Sequence, residues 1–103
     1  MKVSILYFEG CPHWRGADER VRIALSDTGL ARIEVECRRI ATPSQAEAEH
    51  FTGSPTVALD GGDPFADLNS PVGMFCRLYS TDEGLSGSPS VAQLRSALRQ
   101  ASS

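Results

Sequence analysis

The hydrophobic positions of the first forty residues change their period twice. Val3 to Phe8 is a continuous apolar and β-branched run, which predicts a buried strand. From Trp14 to about Thr28 the apolar residues recur every three or four positions until Gly29 stops the pattern, which predicts an amphipathic helix. The segment from Ala31 to Ile40 then alternates, which predicts a second strand. Its apolar face carries Ile33, Val35 and Cys37.

Two helix-start signals lie in the second half of the chain. Thr42 provides an N-cap, Pro43 occupies the first helical position and Gln45 occupies the third. This signal predicts a short helix that runs through Phe51. The second signal, Ser88-Pro89-Ser90, is a cap with a proline and predicts a terminal helix. Helical spacing after it is carried by Val91, Leu94 and Leu98.

Two further strand patterns lie between these helices. The segment from Pro55 to Leu59 predicts a strand whose proline occupies the first position or an edge, because proline has no N–H to donate. The segment from Met74 to Tyr79 resumes strand character. The connection from Asp60 to Gly73 is long for a hairpin, and it is either a mobile flap or a partner-binding surface. Its aspartates are interpreted as turn residues: Asp60, Asp63 and Asp67.

These elements follow the order β-α-β-α-β-β-α in a single domain spanning residues 1–103. The first two strands are expected to be parallel because a helical crossover joins them. The last two are expected to form an antiparallel pair because they are close in sequence. The predicted fold class is therefore α/β, with a mixed four-stranded sheet flanked by helices.

Charge and cysteine usage exclude several function classes. The net charge of −3 contains no long run of one sign, so we expect no nucleic-acid partner. The apolar N-terminal run is too short for a membrane span and lacks a signal peptide's cleavage pattern, so we expect no membrane association and a cytoplasmic location. Three widely spaced cysteines argue against a disulfide framework. Without a cluster of zinc-ligand spacing, we expect no metal and no cofactor.

Cys11 carries most of the candidate chemistry, because it follows the first strand and opens the first helix. A thiol in the first turn of a helix faces unpaired backbone N–H groups and the positive end of the helix dipole, both of which stabilise a thiolate. Such surroundings lower a thiol pKa from about 8.5 to roughly 3.5–7.5. We therefore predict that Cys11 is a nucleophile, with an inert thiol in a non-catalytic domain as the alternative.

His13 and Trp14 follow Cys11 closely and have two interpretations each. A cationic His13 would stabilise the Cys11 thiolate and a neutral one would donate a hydrogen bond to it, while a solvated histidine is the plainer alternative. Trp14 is interpreted as a packing residue on the first helix, with a substrate platform beside the thiol as the alternative.

Three features together resemble the thioredoxin superfamily: the element order, Cys11-Pro12 at the first strand-to-helix junction, and Ser54-Pro55-Thr56 before the third strand. The resemblance implies a thioredoxin-like fold over nearly the whole chain. It also implies that Pro55 is cis, lies against the reactive cysteine and, with the neighbouring backbone, holds a thiol-bearing substrate. The segment from Gly84 to Pro89, with the last helix, would form another wall of the groove.

The motif around Cys11 departs from the dithiol pattern of that superfamily. Residues 11–13 are similar to those of the strongly oxidising bacterial members, whose motif is Cys-Pro-His-Cys, but Trp14 stands where the second cysteine belongs. The thiol that resolves a mixed disulfide must therefore come from elsewhere. Cys37 and Cys76 are candidates, although each fits an apolar alternation and is more readily interpreted as buried core. Glutathione or another small thiol is the remaining candidate.

The C-terminal half carries a second, looser resemblance. Its segments Ser-Pro-Thr-Val, Asp-Gly-Gly-Asp-Pro-Phe and Cys76-Arg77-Leu78-Tyr79 are similar to those of small bacterial thioredoxin-like proteins labelled as relatives of alkylmercury lyase. This resemblance implies handling of mercury or organomercurials by thiols, since soft thiolates bind soft metals. The two cysteines and the acid of the true lyases do not map onto this chain residue by residue.

The function expected from the first resemblance is thiol–disulfide exchange through a mixed disulfide, with Cys11 and His13 as the catalytic residues. The substrate would contact five residues, namely Pro12, Trp14, Ser54, Pro55 and Thr56. The partners would be protein or small-molecule thiols and disulfides. A binding module that keeps the fold without turnover is the competing alternative, and the sequence leaves the oligomeric state open.

Overall fold

The computed structural model describes residues 1–67 and 69–102 and consists of three helices and seven short strands over those ranges. Leu68, in the predicted long connection, and Ser103, at the end of the predicted domain, lie outside the described residues. The elements in chain order are β1 (Val3–Tyr7), α1 (Trp14–Asp27), β2 (Val35–Arg39), α2 (Pro43–Ala48), β3 (Thr52–Ser54), β4 (Thr56–Leu59), β5 (Gly73–Cys76), β6 (Tyr79–Thr81), β7 (Gly84–Ser86) and α3 (Val91–Ser102).

The central sheet is mixed and has β1 in its middle, in the order β2-β1-β4. β1 and β2 are parallel, with Val3 opposite Val35 and Tyr7 opposite Arg39. The prediction that the first two strands are parallel is therefore confirmed, with α1 as the crossover. β4 runs antiparallel on the other side of β1, where Leu6 lies opposite Thr56. The protein is thus a mixed α/β structure.

The alternation of β1 divides the core between the two faces of this sheet. Val3 and Ile5 are fully buried on one face, whereas Leu6 points to the other, as the two-residue period of a strand requires. The first face forms an aliphatic core with α1 and α3, built from Val3, Ile5, Val21, Ala24, Leu25, Val57, Leu94 and Leu98. The second face packs on the α2 region through Leu6, Ile40, Ala46, Phe51 and Ala58.

The predicted single four-stranded sheet is wrong in its last strand, and so is the predicted antiparallel pairing of the last two strands. β5 does not pair with β4 but lies parallel to β3, and β6 and β7 form a separate antiparallel hairpin. The predicted third strand forms β4, while β3 is an additional strand that ends directly before Pro55, which has no N–H for a ladder. β4 then pairs with β1, while β3 remains available to β5.

The starts of α2 and α3 follow side-chain caps. Thr42 Oγ1 accepts a hydrogen bond from the Gln45 backbone N–H at 3.1 Å, as the sequence predicts, although α2 ends at Ala48 and not at Phe51. The cap predicted at Ser88 is wrong by two positions. Ser90 and Gln93 form the reciprocal bonds of a capping box at 3.1 and 2.9 Å. None of the helices in the described residues is long and apolar enough to span a membrane.

Candidate functional site

Cys11 lies in the turn between β1 and α1. Its backbone N–H donates to the Phe8 carbonyl at 3.2 Å, and α1 begins at Trp14 with His13 as the N-cap. The expectation that Cys11 occupies the first helical turn is therefore wrong, because the turn closed by this hydrogen bond delays the helix by three residues. The side chain is also enclosed, since Cys11 is only 5% exposed. A substrate must reach this thiol through the surrounding loops.

The peptide bond between Ser54 and Pro55 is cis, as the thioredoxin resemblance implies. Ser54 Oγ accepts a hydrogen bond from the Phe8 N–H at 3.3 Å, while the Phe8 carbonyl accepts from Cys11. Two consecutive hydrogen bonds therefore connect the Cys11 turn to the residue that precedes Pro55. Ser54, Pro55 and Thr56 are all buried, and the Ser54 and Pro55 carbonyls already accept hydrogen bonds from the Arg77 N–H and the Tyr79 hydroxyl.

His13 is exposed, and its ring lies against Gly87 in the loop after β7. A Cβ atom at position 87 would lie 2.3 Å from the imidazole Cγ, so glycine is required for this approach. Within the described ranges, His13 contacts this loop and has no hydrogen bond to the Cys11 thiol. Assistance of Cys11 by His13 stays a prediction that requires movement of the ring.

Arg20 holds the same loop from α1. Its Nη1 lies 3.1 Å from Ser88 Oγ and 3.3 Å from the Pro89 carbonyl oxygen, and it donates to both. The loop thereby closes one side of a pocket of about 120 Å³. The pocket is lined by Pro12, His13, Gly16, Arg20, Ser86, Gly87 and Ser88. Residues 86–88, within the segment that the resemblance assigns to a groove wall, thus lie across this pocket from Pro12 and His13.

Trp14 packs on the end of β1 and not on the buried face of α1. Its ring stacks on Tyr7 with the centroids 4.0 Å apart and the planes 13° apart, and the Arg15 guanidinium lies 5.2 Å from its centroid. Trp14 is half-buried, and its packing role consists of this stacking on Tyr7. The buried face of α1 consists of Ala17, Val21, Ala24 and Leu25.

Cys37 is exposed, so its interpretation as buried core is wrong. β2 is an edge strand of the central sheet. The alternation that starts at Ile33 does not bury Cys37, because this edge of the sheet has no further strand beside it in the described part of the chain. Cys37 Sγ lies 3.8 Å from Asp18 Oδ1 on α1. Partial burial of the thiol against the helix, followed by the negative charge of Asp18, raises the pKa of Cys37. Both effects disfavour the thiolate.

Cys76 is also exposed, which corrects the prediction that it belongs to the core. It ends β5 and lies directly opposite Ser54 in the pairing of β3 with β5. The N–H of the next residue, Arg77, donates to the Ser54 carbonyl at 2.9 Å. Of the two additional cysteines, Cys76 is therefore the one that the structure brings beside the Ser54–Pro55 bond, whereas Cys37 lies against α1.

A buried polar cluster, formed by Thr52, Asp63, Arg77 and Tyr79, lies behind this bond. Arg77 Nη1 donates to Asp63 Oδ2 at 2.5 Å and to Thr52 Oγ1 at 2.8 Å. Thr52 Oγ1 in turn donates to Asp63 Oδ2 at 2.8 Å. The Arg77 and Asp63 side chains are only 10% and 8% exposed. Removing either partner of this enclosed ion pair would leave an uncompensated buried charge, because both charges have lost their hydration.

Tyr79 connects the polar cluster to Pro55. Its hydroxyl donates to the Pro55 carbonyl at 2.5 Å, and the Arg77 guanidinium lies over its ring at 4.4 Å from the centroid. Phe65 contacts the same ring edge-on at 5.7 Å. Burial raises the pKa of Tyr79 well above its ordinary value of 10, so the hydroxyl keeps its proton and remains a donor at any physiological pH.

Sequence reasoning missed this cluster. The interpretation of the aspartates as turn residues holds, since Asp63 Oδ1 and Asp67 Oδ1 accept from the N–H two positions on and Asp60 has a positive φ of 52°. It missed that Asp63 Oδ2 also joins the buried cluster. Arg77 and Asp63 are separated by 14 positions. The signal available in the sequence was Arg77 and Tyr79, which alternate with Leu78 after Cys76 and to which no partner was assigned.

The connection between β4 and β5 had been interpreted as a flap or a partner surface. Asp63 anchors its first part to β3 and to Arg77, and the Phe65 N–H donates to Asp63 Oδ1 at 2.8 Å. Phe65 also packs against the aliphatic core. This part of the connection is therefore built into the fold, and it brings a carboxylate beneath the Pro55 segment.

No protein-family model, curated protein or solved structure matches this chain. Among residues 1–67 and 69–102, no group of three or more histidine, cysteine, aspartate or glutamate side chains is arranged to hold a metal ion. The three cysteines of these ranges are all free thiols. The observations that bear on function are therefore the positions of Cys11, Cys76 and the Pro55 segment.

Proposed function

We propose that this protein is a thioredoxin-like thiol–disulfide oxidoreductase in which Cys11 is the nucleophile. The observation that carries the proposal is the pair of hydrogen bonds by which Phe8 joins the Cys11 turn to Ser54, the residue before Pro55. Parallel β1 and β2 with an α1 crossover, and antiparallel β4 beside β1, also support a thioredoxin-like fold. The wall at residues 86–88 is then one side of a substrate groove, while the buried Pro55 segment supports the Cys11 turn through Phe8.

The reaction begins when the Cys11 thiolate attacks one sulfur of a substrate disulfide. A Cys11–substrate disulfide forms, and the other half of the substrate leaves as a thiolate that takes a proton from water. The thiolate of a second cysteine then attacks the Cys11 sulfur, releases the remaining substrate thiolate and leaves an intramolecular disulfide. The substrate has gained two electrons, and two equivalents of an external thiol restore the protein while becoming a disulfide themselves.

The position of Cys76 favours it over Cys37 as this second cysteine. Cys76 lies opposite Ser54 and is exposed, whereas Cys37 lies against Asp18 with its pKa raised. The attacking group must be a thiolate, so a raised pKa is a disadvantage for Cys37. Protein or small-molecule disulfides are the proposed substrates, and free thiols of this kind fit a reducing compartment such as the bacterial cytoplasm.

Turnover of a peptide disulfide by single-cysteine variants tests the proposal. We expect Cys11→Ser to abolish the reaction while the circular dichroism spectrum stays that of the wild type. Cys37→Ser is the matched control and retains the wild-type rate. Cys76→Ser accumulates the mixed disulfide at Cys11, visible as an added mass, because the second step is lost. Unchanged turnover in Cys11→Ser would rule the proposal out.

The burial of Cys11 favours one second candidate, a binding module with the same groove and no turnover. A thiol that is 5% exposed is poorly placed for an encounter with a bulky disulfide unless the loops move. This candidate predicts that Cys11→Ser binds thiol-bearing peptides as well as the wild type does. Isothermal titration with a reduced peptide, compared with the turnover assay, separates the two functions.

A further inference from the structure

β2 has one free edge in the described part of the chain. It pairs with β1 on one side, and no strand pairs with its other side within residues 1–67 and 69–102. We propose that two copies of this chain associate through this edge, with the two β2 strands antiparallel and the twofold axis at Cys37. The inference concerns assembly and does not depend on the proposed function.

Backbone groups that such a pairing needs point outward at alternate residues of β2. The Ile40 N–H donates to β1 at 2.7 Å, so the backbone groups of Arg38, two positions earlier, also face β1. Those of Cys37, between them, face the opposite edge. Gln45 Nε2 donates to the Arg39 carbonyl at 3.2 Å from that edge and ends the open stretch. The open edge therefore covers the five residues of β2.

The side chains leave this edge accessible. Glu36, Cys37 and Arg39 are exposed, and Arg38 is half-buried. Cys37 faces α1, where its Sγ lies 3.8 Å from Asp18 Oδ1. Glu36 and Arg38 share the other face of the strand, with Arg38 Nε 3.2 Å from Glu36 Oε1. Because these two side chains remain 49% and 40% exposed, both can also contact a second strand.

The charges of β2 select one register for two antiparallel copies. With Cys37 opposite the partner's Cys37, Glu36 lies opposite the partner's Arg38, and the twofold axis repeats this pair. The two neighbouring registers place Glu36 opposite the partner's Glu36, or Arg38 opposite the partner's Arg38. Like charges directly opposite each other destabilise an antiparallel pair. Of these three registers, the one centred on Cys37 is therefore the one that pairs opposite charges twice.

This pattern also explains why the partner is a second copy. Charged side chains on an edge strand usually prevent it from pairing with other strands. The run Glu36-Cys37-Arg38 is complementary to itself in the opposite direction, so the charges that reject an unrelated strand fit a second copy. The two central sheets then form one continuous sheet. An edge of five residues makes a small interface, so the association is expected to be weak and reversible.

Sedimentation velocity of the chain in a reducing buffer tests the proposal, over about 10 µM to about 1 mM, the range suited to a small interface. We expect a concentration-dependent equilibrium between monomer and dimer. Glu36→Arg is expected to raise the dissociation constant by about tenfold, because two symmetric pairs change from attraction to repulsion. Glu83→Arg is the matched control, since it makes the same charge change at an exposed position between β6 and β7. It is expected to keep the wild-type dissociation constant.

Cys37 reports the register directly. Opposite residues that exchange hydrogen bonds have Cα atoms about 5.5 Å apart, within the range of about 4.4–6.8 Å that a disulfide spans. The oxidant diamide, a diazenedicarboxamide, is therefore expected to join the two Cys37 thiols in the Cys11→Ser/Cys76→Ser variant. An S–S bond forms, and the reagent takes up two electrons and two protons to become the hydrazine. The yield is expected to follow the fraction of dimer.

The matched control for this cross-link is Cys11→Ser/Cys37→Ser. It retains Cys76, which is also exposed but ends β5 and not β2, so its cross-linking is expected not to follow the fraction of dimer. Cross-linking through Cys37 that is equally independent of the fraction of dimer would overturn the proposed register.

The sedimentation results are decisive as well. A wild-type chain that stays monomeric at about 1 mM, or a dimer that Glu36→Arg and Glu83→Arg weaken equally, would overturn the inference. If Glu36→Arg does not keep the circular dichroism spectrum of the wild type, Cys37→Pro takes its place. That change removes an N–H that faces away from β1, so it is expected to abolish the dimer and to keep the fold. None of these results bears on turnover by Cys11, which is measured separately.

Discussion

The aliphatic core and the polar cluster are built on opposite principles, although each buries its members almost completely. The core under α1 and α3 consists of side chains without polar atoms, such as Ile5 and Leu98 at 0% and 1% exposure. The polar cluster buries a full ion pair, Asp63 with Arg77, and satisfies it with Thr52 and Tyr79. The core stabilises the fold by removing apolar surface from water, whereas the cluster fixes the orientation of the groups that it hydrogen-bonds.

This difference indicates where each region tolerates change. A core side chain has many equivalent neighbours, so replacing it changes stability in proportion to the volume lost. A member of the polar cluster has one or two partners, and removing it leaves a buried group unpaired. The core is therefore expected to govern folding alone, and the cluster to govern both folding and the geometry of the Pro55 segment.

The largest expected effect comes from breaking the ion pair. Arg77→Met leaves the Asp63 carboxylate buried without its cation, and we expect a loss of about 4 kcal/mol in the free energy of unfolding. The double variant Asp63→Leu/Arg77→Met removes both charges and is expected to recover most of this loss. Urea denaturation measures both values. Equal losses in the single and the double variant would show that the charges themselves are not what matters.

A core truncation is expected to cost slightly less and to leave the chemistry intact. Leu94→Ala opens a cavity between α3 and α1 and should cost about 3 kcal/mol. The control is Leu85→Ala, because Leu85 is 72% exposed and its truncation creates no cavity. The rate of Cys11 alkylation in Leu94→Ala at 10 °C should match that of the wild type. A large change in that rate would mean that the core and the site are not separate.

Gly53 tests how tightly the polar cluster is packed against β3. Its φ is +102°, and a Cβ atom there would lie 2.7 Å from Phe75 Cε2 and 2.9 Å from Arg77 Cβ. We expect Gly53→Ala to cost about 2 kcal/mol, combining backbone strain with this clash. Gly61→Ala is the matched control, since Gly61 also has a positive φ of +84° but no atom within 4 Å of the added Cβ.

The control separates the two contributions to that loss. Gly61→Ala should cost only the strain part, about 1 kcal/mol. Thermal unfolding of both variants gives the comparison. If the two alanine variants lose the same stability, the close approach of Phe75 and Arg77 to Gly53 contributes nothing.

The smallest effect concerns Cys37, which belongs to neither region. Burial of its thiol and the Asp18 carboxylate both raise its pKa, so the thiolate fraction at neutral pH is low. Asp18→Asn removes the second cause and lowers that pKa, and alkylation of Cys37 at pH 7.5 should become faster by about twofold to fivefold. The measurement uses a Cys11→Ser/Cys76→Ser background. A slower or unchanged rate would contradict the assigned role of Asp18.

The aliphatic core could be predicted from the sequence because the spacing and composition of its apolar residues indicate it directly. The runs from Val3 to Phe8 and from Trp14 to about Thr28 predicted β1, α1 and their parallel crossover to within a residue at each end. The caps at Thr42 and Gln45 fixed the start of α2. Each of these signals lies within a few residues of the element it specifies, so no knowledge of distant contacts was needed.

The polar cluster and the exposure of the cysteines could not be predicted in this way. Asp63 and Arg77 meet only because β5 pairs with β3, and a period of two in Met74–Tyr79 does not say which strand is the neighbour. The same alternation predicted buried positions for Cys37 and Cys76, but both are exposed, Cys37 on the edge strand β2 and Cys76 at the end of β5. Partner choice between strands is a tertiary property, and local patterns do not encode it.

The most direct test of the account is to treat the wild-type protein with a limiting amount of a peptide disulfide and to identify the modified cysteine by peptide mass mapping. Cys11 is the least exposed of the three thiols, while Cys37 and Cys76 are open to solvent. We predict that the mixed disulfide forms first at Cys11 and is then replaced by a Cys11–Cys76 disulfide, because the Cys11 turn is joined through Phe8 to Ser54, which lies opposite Cys76. Labelling of Cys37 and Cys76 with Cys11 left unmodified would contradict the assignment of Cys11 as the nucleophile.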